Sequence, residues 1–270
     1  RLRSAGGTPT TSTGPTYRQL GEMVPRGLRS FGAHDSDFFL ELLPGPRDRD
    51  GLPDSIRFWK TLVEESEPDR TFAVGLIYGP SGCGKSSLIK AGVLPHLAEK
   101  VIPVYLEAST NQTESRLLNG LRHHCPGLPG NLNLHETVAA LRRGQGIPEG
   151  HKVLIVVDQF EQWLHARKGD PSDELVLALR QCDGGRVQCL VMVRDDFWMA
   201  ATRFFRDLEI PLVEGRNSAA VDLFDLSHAR KVLTAYGRAF GKIPPDPQSL
   251  AAAQKEFLKR SVEGLAEEGK

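Results

Sequence analysis

Residues 72–87 read Phe-Ala-Val-Gly-Leu-Ile-Tyr-Gly-Pro-Ser-Gly-Cys-Gly-Lys-Ser-Ser and carry the strongest local signal in the chain. An apolar run ends at Tyr78, a glycine-rich turn follows, and an amphipathic segment continues from Leu88 to Ala98. The turn satisfies the spacing G-x-x-x-x-G-K-[ST], in the strand-before, helix-after context that this motif requires. The sequence therefore predicts a phosphate-binding loop (P-loop) between a buried strand and a helix.

The residue types of this loop suit a nucleotide triphosphate. Gly79, Gly82 and Gly84 allow positive φ and close backbone approach, so that several N–H groups converge on an anion at a helix N-terminus. Lys85 supplies a cation to the β- and γ-phosphates, and the Ser86 hydroxyl is a candidate Mg²⁺ ligand. The alternative is a chance glycine-rich turn, which average residue usage makes roughly a one in fifty to one in a hundred event. The predicted nucleotide-binding residues are Gly79, Pro80, Ser81, Gly82, Cys83, Gly84, Lys85, Ser86 and Ser87.

Composition restricts the class of protein. A chain of 270 residues can hold one large or two modest domains, and 34 basic against 34 acidic residues argue against binding nucleic acid or membranes through bulk charge. No apolar run reaches transmembrane length, and we recognise no signal peptide. The four cysteines form no C-x-x-C pair, so we expect a reducing, cytoplasmic compartment. The first residue is Arg1, which suggests a segment of a longer protein.

A second informative stretch, residues 151–164, contains the run Val-Leu-Ile-Val-Val at 153–157 and then Asp158. Such a run is typical of a parallel strand buried on both faces. In a P-loop protein the acid at its end orders the Mg²⁺ shell beside the phosphates, which makes Asp158 the second predicted metal residue. The alternative is that Asp158 caps a helix beginning at Phe160. Glu161 is the nearest carboxylate able to orient an attacking water, and the alternative for it is a solvated acid in a first helical turn.

The strand predicted at Val187–Val193 delivers Arg194 at its carboxyl end. A cation there can reach a γ-phosphate and report its presence. The competing interpretation is that Arg194 pairs with Asp195 or Asp196. Lys85, Asp158, Glu161 and Arg194 are thus the predicted catalytic residues.

These patterns predict an α/β fold, in which a parallel sheet of about five strands carries helices on both faces and a helical lid subdomain follows. We expect a linker over residues 1–16, an N-terminal helical extension over 17–70, a P-loop NTPase domain over 71–226, and the start of the lid over 227–270. The final strand is predicted at Val221–Leu226, and a helix capped by Ser227 follows it.

The ordered motifs resemble the STAND class of P-loop NTPases, and more closely its novel STAND NTPase 1 group. They are Gly-Leu-Arg-x-Phe at 27–31, Asp-x-Asp-Phe-Phe at 35–39, the loop at 79–87, Asp-Gln-Phe-Glu at 158–161 and Arg-x-Asp-Phe at 194–197. The resemblance implies an ATP-dependent signalling switch in which ATP and Mg²⁺ hold an open, oligomer-competent arrangement and ADP holds the lid closed. It also implies attached effector and sensor domains, such as a serine/threonine kinase or a WD-repeat propeller, in a bacterial multidomain protein.

Two positions depart from the pattern of that group. Members usually read Asp-Gln-Phe-Glu-Glu, whereas position 162 is Gln, so we expect slow or conditional hydrolysis. The alternative function is a non-hydrolysing nucleotide-binding scaffold. The group's Gly-Arg-Glu tripeptide is replaced here by residues 44–50, Pro-Gly-Pro-Arg-Asp-Arg-Asp, which leaves the adenine contact unassigned.

Overall fold

The computed structural model describes residues 29–167 and 173–268. The predicted linker at 1–16 and the first part of the N-terminal extension, residues 17–28, lie outside the described residues, as does part of the motif at 27–31.

A five-stranded sheet forms the centre of the fold. Its order is β2-β3-β4-β1-β5, and every pair of neighbouring strands is parallel. The predicted α/β class and the parallel five-stranded sheet are therefore confirmed. The strands are β1 (Val74–Gly79), β2 (Val101–Glu107), β3 (Lys152–Asp158), β4 (Val187–Arg194) and β5 (Ser218–Ala220).

The helical segment that follows the P-loop is continuous from residue 85 to 96. It begins as α3 (Lys85–Ser87), continues as a π-helix (Leu88–Val93) and ends in a 3₁₀ turn (Leu94–His96) that contains Pro95. We call residues 85–96 the P-loop helix. The other helices are α1 (Ser36–Leu42), α2 (Asp54–Glu64), α4 (Thr113–His124), α5 (Leu134–Arg142), α6 (Glu161–Ala166), α7 (Glu174–Leu179), α8 (Trp198–Asp207), α9 (Leu226–Ala239) and α10 (Ala252–Glu268).

Both faces of the sheet are covered, as the run of consecutive apolar residues in β3 predicts. Val153, Ile155 and Val157 pack into one core together with helices α4 to α8. Leu154 and Val156 pack into a second core together with α2 and the P-loop helix. Since side chains alternate along a strand, residue parity tells which face each position of a strand serves.

Parallel pairing places the carboxyl ends of all five strands at one edge of the sheet. There, Gly79 of β1 is in register with Arg194 of β4, and Glu107 of β2 is in register with Asp158 of β3. Ligands of open α/β sheets bind outside this edge. The fold therefore brings the ends of β1, β3 and β4, which carry the predicted site residues, to the side where such a ligand binds.

The predicted final strand at Val221–Leu226 was wrong. The strand that pairs with β1 is Ser218–Ala220, and the backbone of Val221 makes one more bond, from its N–H to the Tyr78 carbonyl at 2.8 Å. Beyond that bond β1 ends at Gly79 and turns into the P-loop, so residues 222–226 have no strand to pair with. Leu223 and Leu226 are accordingly exposed.

The predicted cap of the following helix was also wrong. Helix α9 begins at Leu226, and its cap is Asp225, whose carboxylate accepts hydrogen bonds from the backbone N–H of His228 (2.7 Å) and the hydroxyl of Ser227 (2.8 Å). Both residue types are good caps, and the aspartate takes the position because the cap lies two residues earlier than expected.

The N-terminal segment joins the P-loop helix to α9. A Cβ placed on Gly92 of the P-loop helix would lie 2.1 Å from Ile56 Cδ1 of α2, which shows how closely the two segments pack. On the other side, Tyr236 of α9 meets the ring of Phe38 edge-on at 5.3 Å, and His228 Nε2 lies 2.6 Å from the Leu42 carbonyl oxygen. Phe39 of α1 would also lie 3.3 Å from the Cβ placed on Gly92, so residues 31–42 form a layer between the P-loop helix and α9.

Candidate functional site

The glycine turn has the conformation that its sequence predicts. Gly82 and Gly84 have φ of 80° and 99°, and a Cβ at either position would meet no atom of the described residues within 4 Å. At Gly79, in contrast, a Cβ would lie 2.0 Å from the Val221 carbonyl oxygen. Gly79 is thus required by close packing, whereas Gly82 and Gly84 are required by backbone conformation and leave open space beside the loop.

The ammonium group of Lys85 is turned toward its own loop. Nζ donates to the carbonyl oxygens of Gly79 and Pro80, both at 2.8 Å, and lies 3.7 Å from Cys83 Sγ. A cation is therefore already held at the turn where the predicted phosphates would bind.

The two serines after Lys85 have different surroundings. Ser87 is buried, and its hydroxyl accepts a hydrogen bond from the backbone N–H of Phe31 at 3.1 Å. Ser86 is partly exposed, and its hydroxyl makes no hydrogen bond to any other residue that the structure describes. The Ser86 hydroxyl is thus available to a ligand, while the Ser87 hydroxyl ties the loop to the N-terminal segment.

Asp158 lies at the end of β3 with 3% of its surface exposed. Its Oδ1 accepts from the backbone N–H of Gln159 at 2.7 Å, and its Oδ2 accepts from the hydroxyl of Tyr105 at 2.5 Å. Helix α6 starts only at Glu161 and receives no side-chain cap, so the alternative in which Asp158 caps that helix is not what the structure has. Burial, followed by the bond to Asp158, raises the pKa of Tyr105 well above its usual range, so the hydroxyl stays a donor.

Arg194 makes the ion pair that was the alternative to a sensor role. Its Nη2 lies 2.6 Å from Asp196 Oδ2, and the two side chains are 45% and 51% exposed. Pairs this exposed contribute only about 0–1 kcal/mol to stability, so a phosphate group would compete readily for the guanidinium.

Strand parity places Asp158 and Arg194 on the same face of the sheet. Leu154 and Val156 pack on the P-loop helix side, and Asp158 continues their series. Leu190 and Met192 do the same on β4, and Arg194 continues theirs. The predicted acid and the predicted sensor therefore share both an edge and a face of the sheet with the P-loop helix.

Glu161 is not the solvated acid of the alternative interpretation. It is 9% exposed, and its Oε2 is buried with no hydrogen-bond partner among the described residues. Gln162, the position that departs from the expected acid, is exposed. Of these two side chains, only Glu161 is held out of water.

The geometry and the motif order agree with a comparison against known families, in which the Novel STAND NTPase 1 profile matches residues 26–235. The chain belongs to the Novel STAND NTPase 1 family. It is accordingly a nucleotide-binding P-loop NTPase.

Solved structures show the same fold at low sequence identity. The ORC2 protein of Aeropyrum pernix, in ADPNP-ADP complexes, aligns with TM-score 0.50 and 17% identity over 73% of this chain and 53% of its own. Drosophila ORC bound to DNA aligns with TM-score 0.50 and 20% identity over 67% and 45%. The Walker-type ATPase paby2304 of Pyrococcus abyssi aligns with TM-score 0.52 and 15% identity over 83% and 66%. This chain thus spans less than two thirds of the length of each. No curated protein matches the sequence, and every helix that the structure describes is too short or too polar to span a bilayer.

The sequence of this STAND NTPase did not predict three residues that lie around Asp158, namely Lys90, Tyr105 and Glu107. Lys90 Nζ lies 4.6 Å from the centroid of the Tyr105 ring and 3.1 Å from Glu107 Oε1. The signal that could have found Tyr105 and Glu107 is their shared parity near the end of β2, on the face of the P-loop helix.

The residues present fit a nucleotide with Mg²⁺. Ser86, a partly exposed hydroxyl with no partner in residues 29–167 and 173–268, and Asp158, a buried carboxylate, are hard oxygen donors of the kind that Mg²⁺ accepts. The open space beside Gly82 and Gly84 suits phosphate oxygens approaching the backbone. The donor set of this family member therefore agrees with the metal and the nucleotide that its sequence predicts.

Proposed function

We propose that this STAND NTPase is an ATP- and Mg²⁺-dependent molecular switch with slow or conditional hydrolysis, acting on an attached effector or on homo-oligomerisation in a larger signalling protein. The observation that carries the proposal is that Asp158 and Arg194 lie at the same edge of the sheet as the P-loop, on the face that the P-loop helix covers. In such a site Mg²⁺ would neutralise charge on the β- and γ-phosphates.

Each residue has a distinct part in this proposal. Residues 79–87 bind the phosphates through backbone N–H groups, and Lys85 exchanges its two carbonyl partners for phosphate oxygens. Ser86 and Asp158 would hold the metal, Arg194 would leave Asp196 for the γ-phosphate, and Glu161 would orient the attacking water.

The switch part of the proposal is supported by the position of the N-terminal layer. Phe31 bonds to Ser87 in the loop, and its ring lies 6.2 Å from that of Tyr236 in α9. A change at the loop can therefore reach α9 through a single residue, which is the kind of two-sided contact that a nucleotide-dependent lid needs. The expected domain boundaries, the cytoplasmic location and the absence of nucleic-acid binding remain predictions.

Calorimetric titration with ATP tests nucleotide binding. Lys85→Ala removes charge-assisted bonds to phosphate worth roughly 1.5–3 kcal/mol, so affinity should fall about ten- to a hundred-fold. The matched control is Lys100→Ala, an exposed lysine just before β2 at the opposite edge of the sheet, which should bind as the wild type does. Equal affinity of Lys85→Ala and wild type would refute the site assignment.

A second candidate, the non-hydrolysing scaffold, is favoured by Gln162 in place of the usual acid. Single-turnover ATP hydrolysis separates the two. If Glu161 orients water, Glu161→Gln should slow hydrolysis by about 10²–10⁴-fold. Rates that are equal and at the uncatalysed level in both proteins would select the scaffold.

A further inference from the structure

Asp158 is held by a network that extends from the P-loop helix across β2 to β3. Lys90 stands over the Tyr105 ring, and the Tyr105 hydroxyl bonds to Asp158 Oδ2. In sequence these residues are widely spaced, since Tyr105 and Asp158 are 53 positions apart. The network therefore exists only because the sheet pairs β2 with β3.

The register explains how Tyr105 reaches the carboxylate. Asp158 lies directly opposite Glu107, and Tyr105 is the diagonal neighbour two residues earlier on β2. Diagonal pairs on one face of a sheet are within reach of long aromatic side chains. A phenol at this position can span the distance, whereas a shorter hydroxyl side chain cannot.

The two bonds to Asp158 together fix its orientation. The Gln159 N–H donates to Oδ1 and the Tyr105 hydroxyl donates to Oδ2, so each oxygen has one donor and rotation of the carboxylate would break both bonds. The Gln159 N–H is part of the backbone. Tyr105 is the side chain that supplies the second donor.

Lys90 in turn restrains Tyr105. Its ammonium lies 4.6 Å from the ring centroid, bonds to Glu107 at 3.1 Å, and lies 3.4 Å from the Ser30 hydroxyl. A cation over an aromatic face is attracted to it, and the bond to Glu107 fixes the cation at the end of β2. The ring is thus held between the P-loop helix and the sheet.

We propose that Tyr105 is a positioning residue for Mg²⁺, acting by holding the Asp158 carboxylate toward the metal of the bound nucleotide. The inference rests on the proposed function, since it requires Asp158 to serve the metal. Groups that orient a metal ligand by hydrogen bonding typically change metal affinity 10- to 100-fold when removed. Loss of the Tyr105 hydroxyl should therefore change the Mg²⁺ dependence of nucleotide binding and not the binding measured without Mg²⁺.

The test is ADP binding by the full 270-residue chain, measured calorimetrically in EDTA and over a series of free Mg²⁺ concentrations. Tyr105→Phe should raise, by about 10- to 100-fold, the free Mg²⁺ concentration that gives half of the Mg²⁺-dependent gain in ADP affinity. The ADP affinity in EDTA should stay unchanged. A purely structural role would weaken binding equally with and without Mg²⁺, and that result would overturn the inference.

Tyr78→Phe is the matched control. The Tyr78 hydroxyl also bonds to a carboxylate, Glu214 Oε2 at 3.3 Å, but its side chain packs on the opposite face of the sheet from the P-loop helix. Tyr78→Phe should keep the wild-type Mg²⁺ dependence. An equal shift in both variants would mean that loss of any phenol disturbs the fold, and would overturn the inference.

A double-mutant cycle shows whether Tyr105 acts through Asp158. In an Asp158→Asn background the Tyr105→Phe change should add little to the Mg²⁺ dependence, because the group it positions is gone. Full additivity would overturn the inference. If the wild type binds ADP without any Mg²⁺ dependence, the proposed metal role of Asp158 itself fails; if the wild type depends on Mg²⁺ and Tyr105→Phe matches it, only the inference fails.

Discussion

Glu161 provides a stability test of its proposed role that needs no nucleotide. Its Oε2 is buried without a described partner, and only 9% of the residue is exposed. An unpartnered buried polar atom costs roughly 1–3 kcal/mol, and more when the group is charged. Glu161→Gln keeps the shape and leaves a neutral polar group in place of the carboxylate, which costs less to bury without a partner, so it should stabilise the nucleotide-free protein by about 1 kcal/mol. For domains of 150–250 residues this corresponds to a rise of about 2–4 °C in Tm.

A neighbouring glutamate gives the control with the opposite sign. Glu114 Oε1 accepts a hydrogen bond from Trp163 Nε1 at 2.6 Å, so its carboxylate is partnered. Glu114→Gln weakens a charge-assisted bond and should lower stability by about 0.5–1 kcal/mol. Urea unfolding of both variants without nucleotide measures the difference. If Glu161→Gln is destabilised as much as Glu114→Gln, then Oε2 has a native partner and the reasoning is wrong.

A gain in stability together with a loss of hydrolysis would be informative. Buried groups without partners are often retained because they serve function. Removing such a group then improves stability and abolishes activity. A side chain that only packs the core gives no such pair of effects. The combination would therefore separate a catalytic Glu161 from a merely buried one.

Two further predictions concern the frame around the site. Lys152 Nζ is buried, donates to the carbonyls of Glu65 and Gly184, and has its pKa lowered by burial to about 8. Above pH 8 the unfolded chain keeps a proton on Lys152 that the folded protein has released. The free energy of unfolding of the wild type, relative to that of Lys152→Met, should therefore rise by on the order of 2 kcal/mol from pH 7.5 to 9.5. Urea unfolding that gives the same pH dependence for both proteins would contradict this. Gly79→Ala forces a Cβ against the Val221 carbonyl, whereas the new Cβ of Gly82→Ala meets no atom within 4 Å in the part of the chain that the structure describes. Gly82→Ala should lower the free energy of unfolding by roughly 1–2 kcal/mol through backbone strain, and Gly79→Ala should lower it further. Thermal unfolding measures both losses, and equal losses would argue against the close packing at Gly79.

The parts of the fold that the sequence predicts well are those with strong periodic signals. The runs that became β1, β3 and β4 are apolar and bounded by turn residues, and buried strands of a parallel sheet require such runs. The strand β5 has no such signal, since Ser218, Ala219 and Ala220 are weak strand formers. Its position is decided by the free edge of β1, and the residues of higher strand propensity that follow it are left exposed.

The sequence predicted which residues belong to the candidate site, but it predicted less well what those residues contact. The motifs named Lys85, Asp158 and Arg194, and the sequence also allowed Asp158 to be a helix cap, although the upstream P-loop favoured the metal role. The backbone contradicts the cap interpretation, because Gln159 has a φ of 52° and helix α6 begins at Glu161 without a side-chain cap. The metal role of Asp158 stays a prediction. The bond from Tyr105 could not be read from the sequence, since it depends on the register of β2 against β3.

Three charged groups of the proposed site, Lys85, Asp158 and Arg194, have partners among the described residues, and the strength of those partners separates their roles. Arg194 pairs with an exposed carboxylate, a contact worth about 0–1 kcal/mol, which a phosphate can replace. Lys85 donates to two carbonyls of its own loop, which phosphate oxygens outmatch because they carry charge. Asp158 has two donors in a buried setting, where losing either leaves an unsatisfied oxygen at a cost of roughly 1–3 kcal/mol. Nucleotide binding should therefore move the two cations and leave the carboxylate in place, so that the acid is the fixed reference of the site and the cations are its responsive parts.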